Sequence, residues 1–388
     1  MYKYLVLPLI LVTLFTNCGC WNRLEVEKAV VVSGLGVQLL EDGNMRYALR
    51  VEMPRISPEG QFMPPQGIVI TATGKNMTHA ARNLSLFLPH IPLWSHASSL
   101  VLGENLARSD LSHITDVFIR NRNVRMDTDI FITHKVTPYE LYSIVDPLTG
   151  TSARNLPDLV RDQEFILGQY VPTTLFQMLY KLATPGVDLV VPMLTAATSG
   201  NNKTIQLAGL AVFKGPRMVG SLNEMESRGY RWLNPDKNVG GMVAVDMPAG
   251  QGRVNFEVVT FYAKQSPRLK DGRLIMDIKV QAYLNFFEQQ GTADLVGLYQ
   301  RRQLEAAAAQ QIEKEIWSCI KKSQRLNSDI LGWGLNISKY LPAEWKNIQN
   351  KWEELYSQTA ACINVNCQVD RIYTSTNSFK FDRIPPFP

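Results

Sequence analysis

Residues 195–203 read Thr195-Ala196-Ala197-Thr198-Ser199-Gly200-Asn201-Asn202-Lys203, and the character of the chain changes across them. Small, turn-forming residues make this the clearest linker in the sequence. Upstream, strand and helix patterns alternate, which implies parallel pairing in an α/β sheet. Downstream, strands follow one another before two helices, which implies an antiparallel sheet packed by long helices. The fold class that follows is multi-domain α+β, with an N-terminal mixed α/β half over 20–197, a linker over 198–204 and a C-terminal α+β domain over 205–380. The tail 381–388, ending Pro385-Pro386-Phe387-Pro388, is expected to fray.

In the first half, Ala29 to Val37 reads as a buried strand, and Asp42-Gly43 gives a two-residue turn into Met45 to Met53. Pro54 to Gly67, with four prolines, reads as a loop on the surface or between subdomains, before a strand Ile68 to Thr73. A helix over Asn76 to Phe87, a strand Ser98 to Leu102, a helix after the cap-like Ser109-Asp110 and a strand Met126 to Thr133 follow. Thr137-Pro138 opens a short helix with proline in its first turn. Asn155 to Ala183 reads as helical with a break at Val171-Pro172. In the second half, Ile205 to Phe213, Val239 to Val245, Val254 to Ala263 and Leu274 to Phe287 are strand-like, with a hairpin turn at Asp271-Gly272. Ala309, Ile312, Ile316 and Ile320 share one face of a long helix, and Trp345, Ile348, Trp352 and Leu355 form a stripe on another, read as core packing.

The N-terminus holds one short apolar run, Leu5 to Phe15, with only Lys3 ahead of it and Thr16-Asn17-Cys18-Gly19-Cys20-Trp21 behind it. A spanning helix needs about 20 apolar residues, so this run suits the core of a signal peptide over residues 1–19. Gly19 ahead of Cys20 fits lipoprotein processing, in which the thiol is joined to diacylglycerol and becomes the new N-terminus. Cys18, after Asn17, is the rival acceptor. Either way the rest of the chain is expected outside the cytoplasm.

Formal charge is +5, from 40 basic and 35 acidic residues, without the Lys/Arg clusters that nucleic-acid binding needs. The three cysteines away from the lipidation site are Cys319, Cys362 and Cys367. Cys362 and Cys367 are five apart on one strand, and so face opposite ways; all three are expected as free thiols. The motifs Gly-x-x-x-x-Gly-Lys, Gly-x-Gly-x-x-Gly, His-Glu-x-x-His and Gly-x-Ser-x-Gly are missing, and no cofactor or catalytic residue is assigned. Gly34-Leu35-Gly36 lies inside a strand and reads as close packing. His79, His90, His96, His113 and His134 match no zinc spacing. Ser318-Cys319-Ile320-Lys321 has a Ser-x-x-Lys spacing without its partner elements, and Arg120, Arg122 and Arg125 read as a solvated face or as partners of local carboxylates.

Gly19-Cys20-Trp21-Asn22-Arg23, then Val32-Ser33-Gly34-Leu35-Gly36-Val37, resembles the opening of the Ger(x)C family, the C-subunit lipoproteins of spore germinant receptors. The resemblance continues through Ser95-His96, Gly103-Glu104-Asn105-Leu106-Ala107 and Arg120-Asn121-Arg122-Asn123-Val124-Arg125. It is densest in Asp329-Ile330-Leu331-Gly332-Trp333-Gly334, Tyr340-Leu341-Pro342-Ala343-Glu344-Trp345 and Trp352. Asn22, Gln38 and Asn121 stand where the family commonly has aspartate. The resemblance implies a non-catalytic receptor subunit, lipidated at Cys20, on the outer face of the spore inner membrane. Its implied partners are two polytopic membrane subunits, A and B, with direct germinant binding left to a membrane subunit. A substrate-binding lipoprotein of a transporter is the alternative, and it predicts two similar α/β lobes.

Overall fold

The structure is a computed structural model that describes residues 28–120, 124–144, 156–234, 240–247, 252–290 and 298–372. The signal segment, Cys18, Cys20, Arg122 and the tail lie outside the described residues. In chain order the strands of the first sheet are β1 (Ala29–Leu39), β2 (Met45–Ile56), β3 (Phe62–Gly74), β4 (Ile91–Leu93), β5 (Ser99–Leu102), β6 (Asp129–Thr133), β7 (Val190–Ser199), β8 (Asn202–Lys214) and β9 (Arg217–Leu222). They are arranged β3-β2-β1-β5-β6-β7-β8-β9, with β4 also against β1, and the run β1-β5-β6-β7 is parallel.

Parallel strands are covered on both faces, and the central residues of β5 and β6 are apolar for that reason. In β5, Leu100 and Leu102 face one core and Val101 the other; in β6, Ile130 and Ile132 oppose Phe131. The helices α1 (Met77–Asn83), α2 (Glu104–Ser109) and α3 (Ser112–Arg120) supply the first core. The capping box of Thr137 and Glu140 starts α4 (Pro138–Ser143), whose Leu141 and Tyr142 enter the second core together with α5 (Leu156–Ile166), while Leu175 and Met178 of α6 (Leu175–Ala183) return to the first. Gly36 packs as its sequence context implies: a Cβ there would stand 2.8 Å from Pro138 Cβ and 3.1 Å from Ala48 Cβ.

The second sheet contains β10 (Met242–Asp246), β11 (Arg253–Lys270), β12 (Arg273–Gln290) and β13 (Ala360–Ile372) in that order. Asp271 and Gly272 both have positive φ, 50° and 72°, as a two-residue hairpin turn requires. After α7 (Glu224–Leu233), the helix α8 (Leu298–Arg325) lays Leu304, Ala308, Ile312, Ile316, Cys319 and Ile320 onto the sheet. It crosses α7 at Gly229, where a Cβ would lie 2.0 Å from the Glu315 carbonyl oxygen. The chain then forms α9 (Trp333–Tyr340), α10 (Pro342–Ile348) and α11 (Trp352–Tyr356) before β13.

Several sequence expectations are corrected. Residues 198–204, read as a linker, are the tip and flanks of a hairpin: Ser199 pairs with Asn202 and Thr198 with Lys203. Serine, glycine and asparagine favour tight turns as strongly as linkers, and Gly200 takes φ 59° here. Ile205 to Phe213 therefore belongs to the first sheet rather than opening the second. The second sheet is mixed, because β13 runs parallel to β12. The proline-rich stretch 54–67 is strand on both sides of a short turn, with Arg55 opposite Met63 and Met53 opposite Gln66. Prolines are tolerated there because β3 is the sheet edge, and β2 has run past the end of its pairing with β1 at Glu52. The Asp42-Gly43 turn spans five residues between the paired Leu39 and Met45, closed by Asp42 accepting from the Asn44 N–H.

Candidate functional site

The motif with the densest resemblance, 329–334, lies at the junction between the first sheet and the helices of the second. Asp329, in the turn between α8 and α9, is 5% exposed, and its carboxylate is fully used. Oδ1 accepts from the Trp333 N–H at 2.9 Å, and Oδ2 accepts from the Gly334 N–H at 2.8 Å and the Trp352 indole N–H at 2.9 Å. The first two donors are free N–H groups at the start of α9, where a carboxylate also meets the positive end of the helix dipole. Burial nevertheless pushes the Asp329 carboxyl up, to about 7, against the pull of those donors.

Asp188, in the loop that leads from α6 into β7, faces it. Its Oδ2 accepts from the Asp329 N–H at 2.7 Å, its Oδ1 from the Gly215 N–H at 2.9 Å, and its own N–H donates to the Asp329 carbonyl at 2.8 Å. Burial raises its carboxyl as well. Beside this pair, Gly186 and Gly334 touch backbone to backbone: a Cβ on Gly334 would lie 2.6 Å from Gly186 Cα, and the Leu335 N–H donates to the Gly186 carbonyl at 2.9 Å.

Aromatic rings close the junction. Trp333 meets Tyr356 with ring centres 5.5 Å apart, Trp352 meets Tyr356 at 5.9 Å, and Trp345 meets Trp352 at 5.8 Å, all edge to face. The Trp333 indole donates to Gln265 of β11 at 2.8 Å, and the Tyr356 hydroxyl pairs with Ser323 of α8 at 2.7 Å. Of the tryptophan stripe, Trp352 is core, Trp345 and Ile348 pack half-buried against it, and Leu355 at its end is 37% exposed. A small cavity of about 270 Å³, lined by Lys181, Asp188, Asn327, Asp329 and Tyr356 among others, opens beside the pair. Every Asp188 and Asp329 oxygen already holds a backbone or indole donor, so the arrangement fastens two layers together.

The other sequence-derived candidates disperse. Cys319 and Cys367 are buried, and burial raises both thiols, Cys367 to about 12; Cys362 is exposed, and all three are free. His134 Nδ1 sits 3.3 Å from Glu104, and His79 accepts from the Lys75 N–H. Among the described residues no three His, Cys, Asp or Glu side chains are grouped as metal ligands. Arg120 pairs with Asp116 and Arg125 with Asp127, both at the surface. No helix among the described residues is long and apolar enough to cross a membrane. Sequence reasoning missed Gly186, Asp188 and Gly215; Pro185-Gly186 signals a turn but not the partner it meets.

Two family descriptions match the chain in order: "Spore germination protein N-terminal domain" over residues 22–196 and "Spore germination B3/ GerAC like, C-terminal" over 208–373. Spore germination protein KC of Bacillus subtilis (strain 168) is 23% identical over 381 residues, covering 91% of this chain and 92% of that protein. Spore germination protein A3 of the same organism is 22% identical, over 92% and 94% of the two chains. The crystal structure of the GerBC protein superposes with a TM-score of 0.57 at 16% identity, covering 87% of this chain and 96% of that one. With both halves matched in order and the mixed α/β, two-sheet fold shared, the chain belongs to the Ger(x)C family of spore germination proteins.

Proposed function

We propose that this protein is a non-catalytic, lipid-anchored subunit of a nutrient germinant receptor. It is held at the outer face of the spore inner membrane, where it supports receptor assembly and signalling beside the polytopic A and B subunits. The observation that carries this reading is the ordered match of both family descriptions, supported by near full-length relatives that are named spore germination proteins. Saturation of the buried Asp188 and Asp329 by structural donors favours a scaffold over an enzyme. The anchor is Cys20, with Cys18 as the rival. Two acyl chains at about 0.8 kcal/mol per buried methylene hold a protein at a bilayer and raise its effective concentration near membrane partners.

A transporter's binding lipoprotein is disfavoured, because the nine-stranded and four-stranded sheets are not two similar lobes. The test is deletion of the gene in its spore former, with complementation by the wild-type and Cys20→Ala chains. Loss of germination to at least one nutrient, restored by the wild type and not by a chain that leaves the membrane fraction, is expected. Normal germination to every nutrient in a strain without other receptors overturns the assignment.

A further inference from the structure

Strand β3 is one edge of the first sheet, and its outer side is open along Ile68-Val69-Ile70-Thr71-Ala72-Thr73. The Thr73 carbonyl accepts from the Asn83 side-chain amide at 2.8 Å and so points away from β2. Strand alternation turns the backbone groups of Thr71 and Val69 the same way. Among the described residues, nothing bonds the outward N–H or carbonyl of either one.

An edge of this kind is a template for another strand, and proteins blunt it with charge, proline, a bulge or shortness. The other edges here are blunted. β9 has six residues and starts with Arg217, β10 has five and ends with Asp246, and β13 has its Val369 N–H capped by Glu305 at 3.0 Å. β3 has Pro64 and Pro65 near its start. From Gly67 to Thr73, however, it carries neither charge nor proline, and it pairs with β2 one-to-one without a bulge.

A groove of about 570 Å³ runs beside this stretch from Thr71 to Thr73, walled by Leu86, Phe87, Tyr139 and Arg46. Leu86 is 76% exposed, Phe87 63% and Tyr139 44%, so three large apolar side chains are held in water around unpaired backbone. Arg46 adds a positive charge that forms no salt bridge among the described residues.

We propose that this edge takes an extended, acid-bearing segment of another polypeptide as an added strand. The segment's backbone bonds the N–H and carbonyl groups of Val69 and Thr71, and its apolar side chains lie against Leu86, Phe87 and Tyr139. A carboxylate at its end beside Thr73 meets Arg46. A row of backbone donors and acceptors calls for an extended chain, the apolar walls for apolar side chains, and the arginine for an acid; a lipid surface or a small solute lacks the first. A second copy of β3 would bring the backbone but no acid, because Ile68 to Thr73 is uncharged. This surface depends on neither the lipid anchor nor the germinant, so its test stands apart from that of the receptor assignment.

The probe is a dye-labelled synthetic peptide, Asp-Val-Thr-Val-Thr-Val-Lys, followed by fluorescence anisotropy against the full-length protein in detergent micelles. In the antiparallel sense its aspartate falls beside Thr73 and Arg46. Saturable binding with a Kd on the order of 0.1 mM is expected. Methylating the five central amide nitrogens keeps every side chain but removes the donors, and is expected to abolish binding. Thr71→Pro removes one outward N–H and leaves the ladder to β2 intact; it is expected to weaken binding about tenfold. Arg46→Glu is expected to weaken it about fivefold and to favour the peptide with lysine in place of its aspartate. If Thr71→Pro fails to fold, the methylated and unmodified peptides on the wild-type protein decide. Equal binding of those two overturns the proposal, as does an absence of saturable binding below about 5 mM. A sedimenting dimer that Thr71→Pro abolishes gives the edge to a second copy, and overturns the proposal too.

Discussion

The backbone N–H of Asp188 donates to the Asp329 carbonyl at 2.8 Å, while the Asp329 N–H donates to the Asp188 carboxylate at 2.7 Å. Two residues 141 positions apart thus hold each other from both directions, one in the loop that enters β7 of the first sheet and one in the turn between the helices α8 and α9. Asp188→Ala strips the acceptor from the N–H groups of Asp329 and Gly215 and leaves both without it. A loss of about 2–4 kcal/mol in urea denaturation is expected.

The Asp329 carboxyl is raised from its ordinary value near 3.8 to about 7. The folded state therefore holds a proton that the unfolded chain releases across that interval, and linkage makes stability fall as pH rises from about 4 through 7. Asp188 and Asp129 are raised as well and add to the same slope. Denaturation midpoints are expected to decline from pH 5 to pH 8, and Asp329→Asn is expected to be less stable at pH 5 but to show a flatter decline. An unchanged slope in that variant means that Asp329 does not titrate in this range.

Gly334→Ala places a methyl 2.6 Å from both Gly186 Cα and the Trp352 indole nitrogen, with Trp345 at 2.9 Å. Backbone on one side and packed rings on the other leave no room to yield, and a cost of about 3 kcal/mol or more is expected. Thermal melting against the wild type checks it. Gly43→Ala, in open space but at φ 80°, is expected to cost only about 1 kcal/mol, through backbone strain alone.

A thiol reagent is expected to label Cys362 rapidly in the native protein, while Cys319 and Cys367 react only on unfolding. Cys362 is exposed; the other two are buried, and their thiols are held protonated. Mass spectrometry of peptides labelled before and after urea addition distinguishes the three.

Local chemistry was legible in the sequence wherever it was sufficient. Asp271-Gly272 can make only a tight turn between two strand patterns, and Thr137-Pro138 with Glu140 carries its own helix cap. The parallel core could be read for a similar reason, since only strands covered on both faces are apolar at every position, as Leu100-Val101-Leu102 is. The hairpin at Ser199 to Asn202 was not legible as one. Its turn residues suit a linker equally, and what decides is the pairing of two strands whose outer halves are polar and exposed. Pro54 to Gly67 misled because proline marks a loop unless the strand lies at an edge, and edge position is set by the whole sheet. At the junction, Asp329 and the tryptophans stood out in the sequence, whereas Asp188 carries no local mark: its role exists only once Asp329 has been brought beside it.

The hairpin also bears on how such chains can be recombined. The second half of β8 and all of β9 fall within the C-terminal family segment, yet they finish the N-terminal sheet. A chimaera joined near residue 200 would graft a foreign edge onto each parent, whereas a crossover just past Leu222 would exchange intact sheets. Among relatives about 20% identical, the second junction is the one that lets halves be traded while each keeps its own strands.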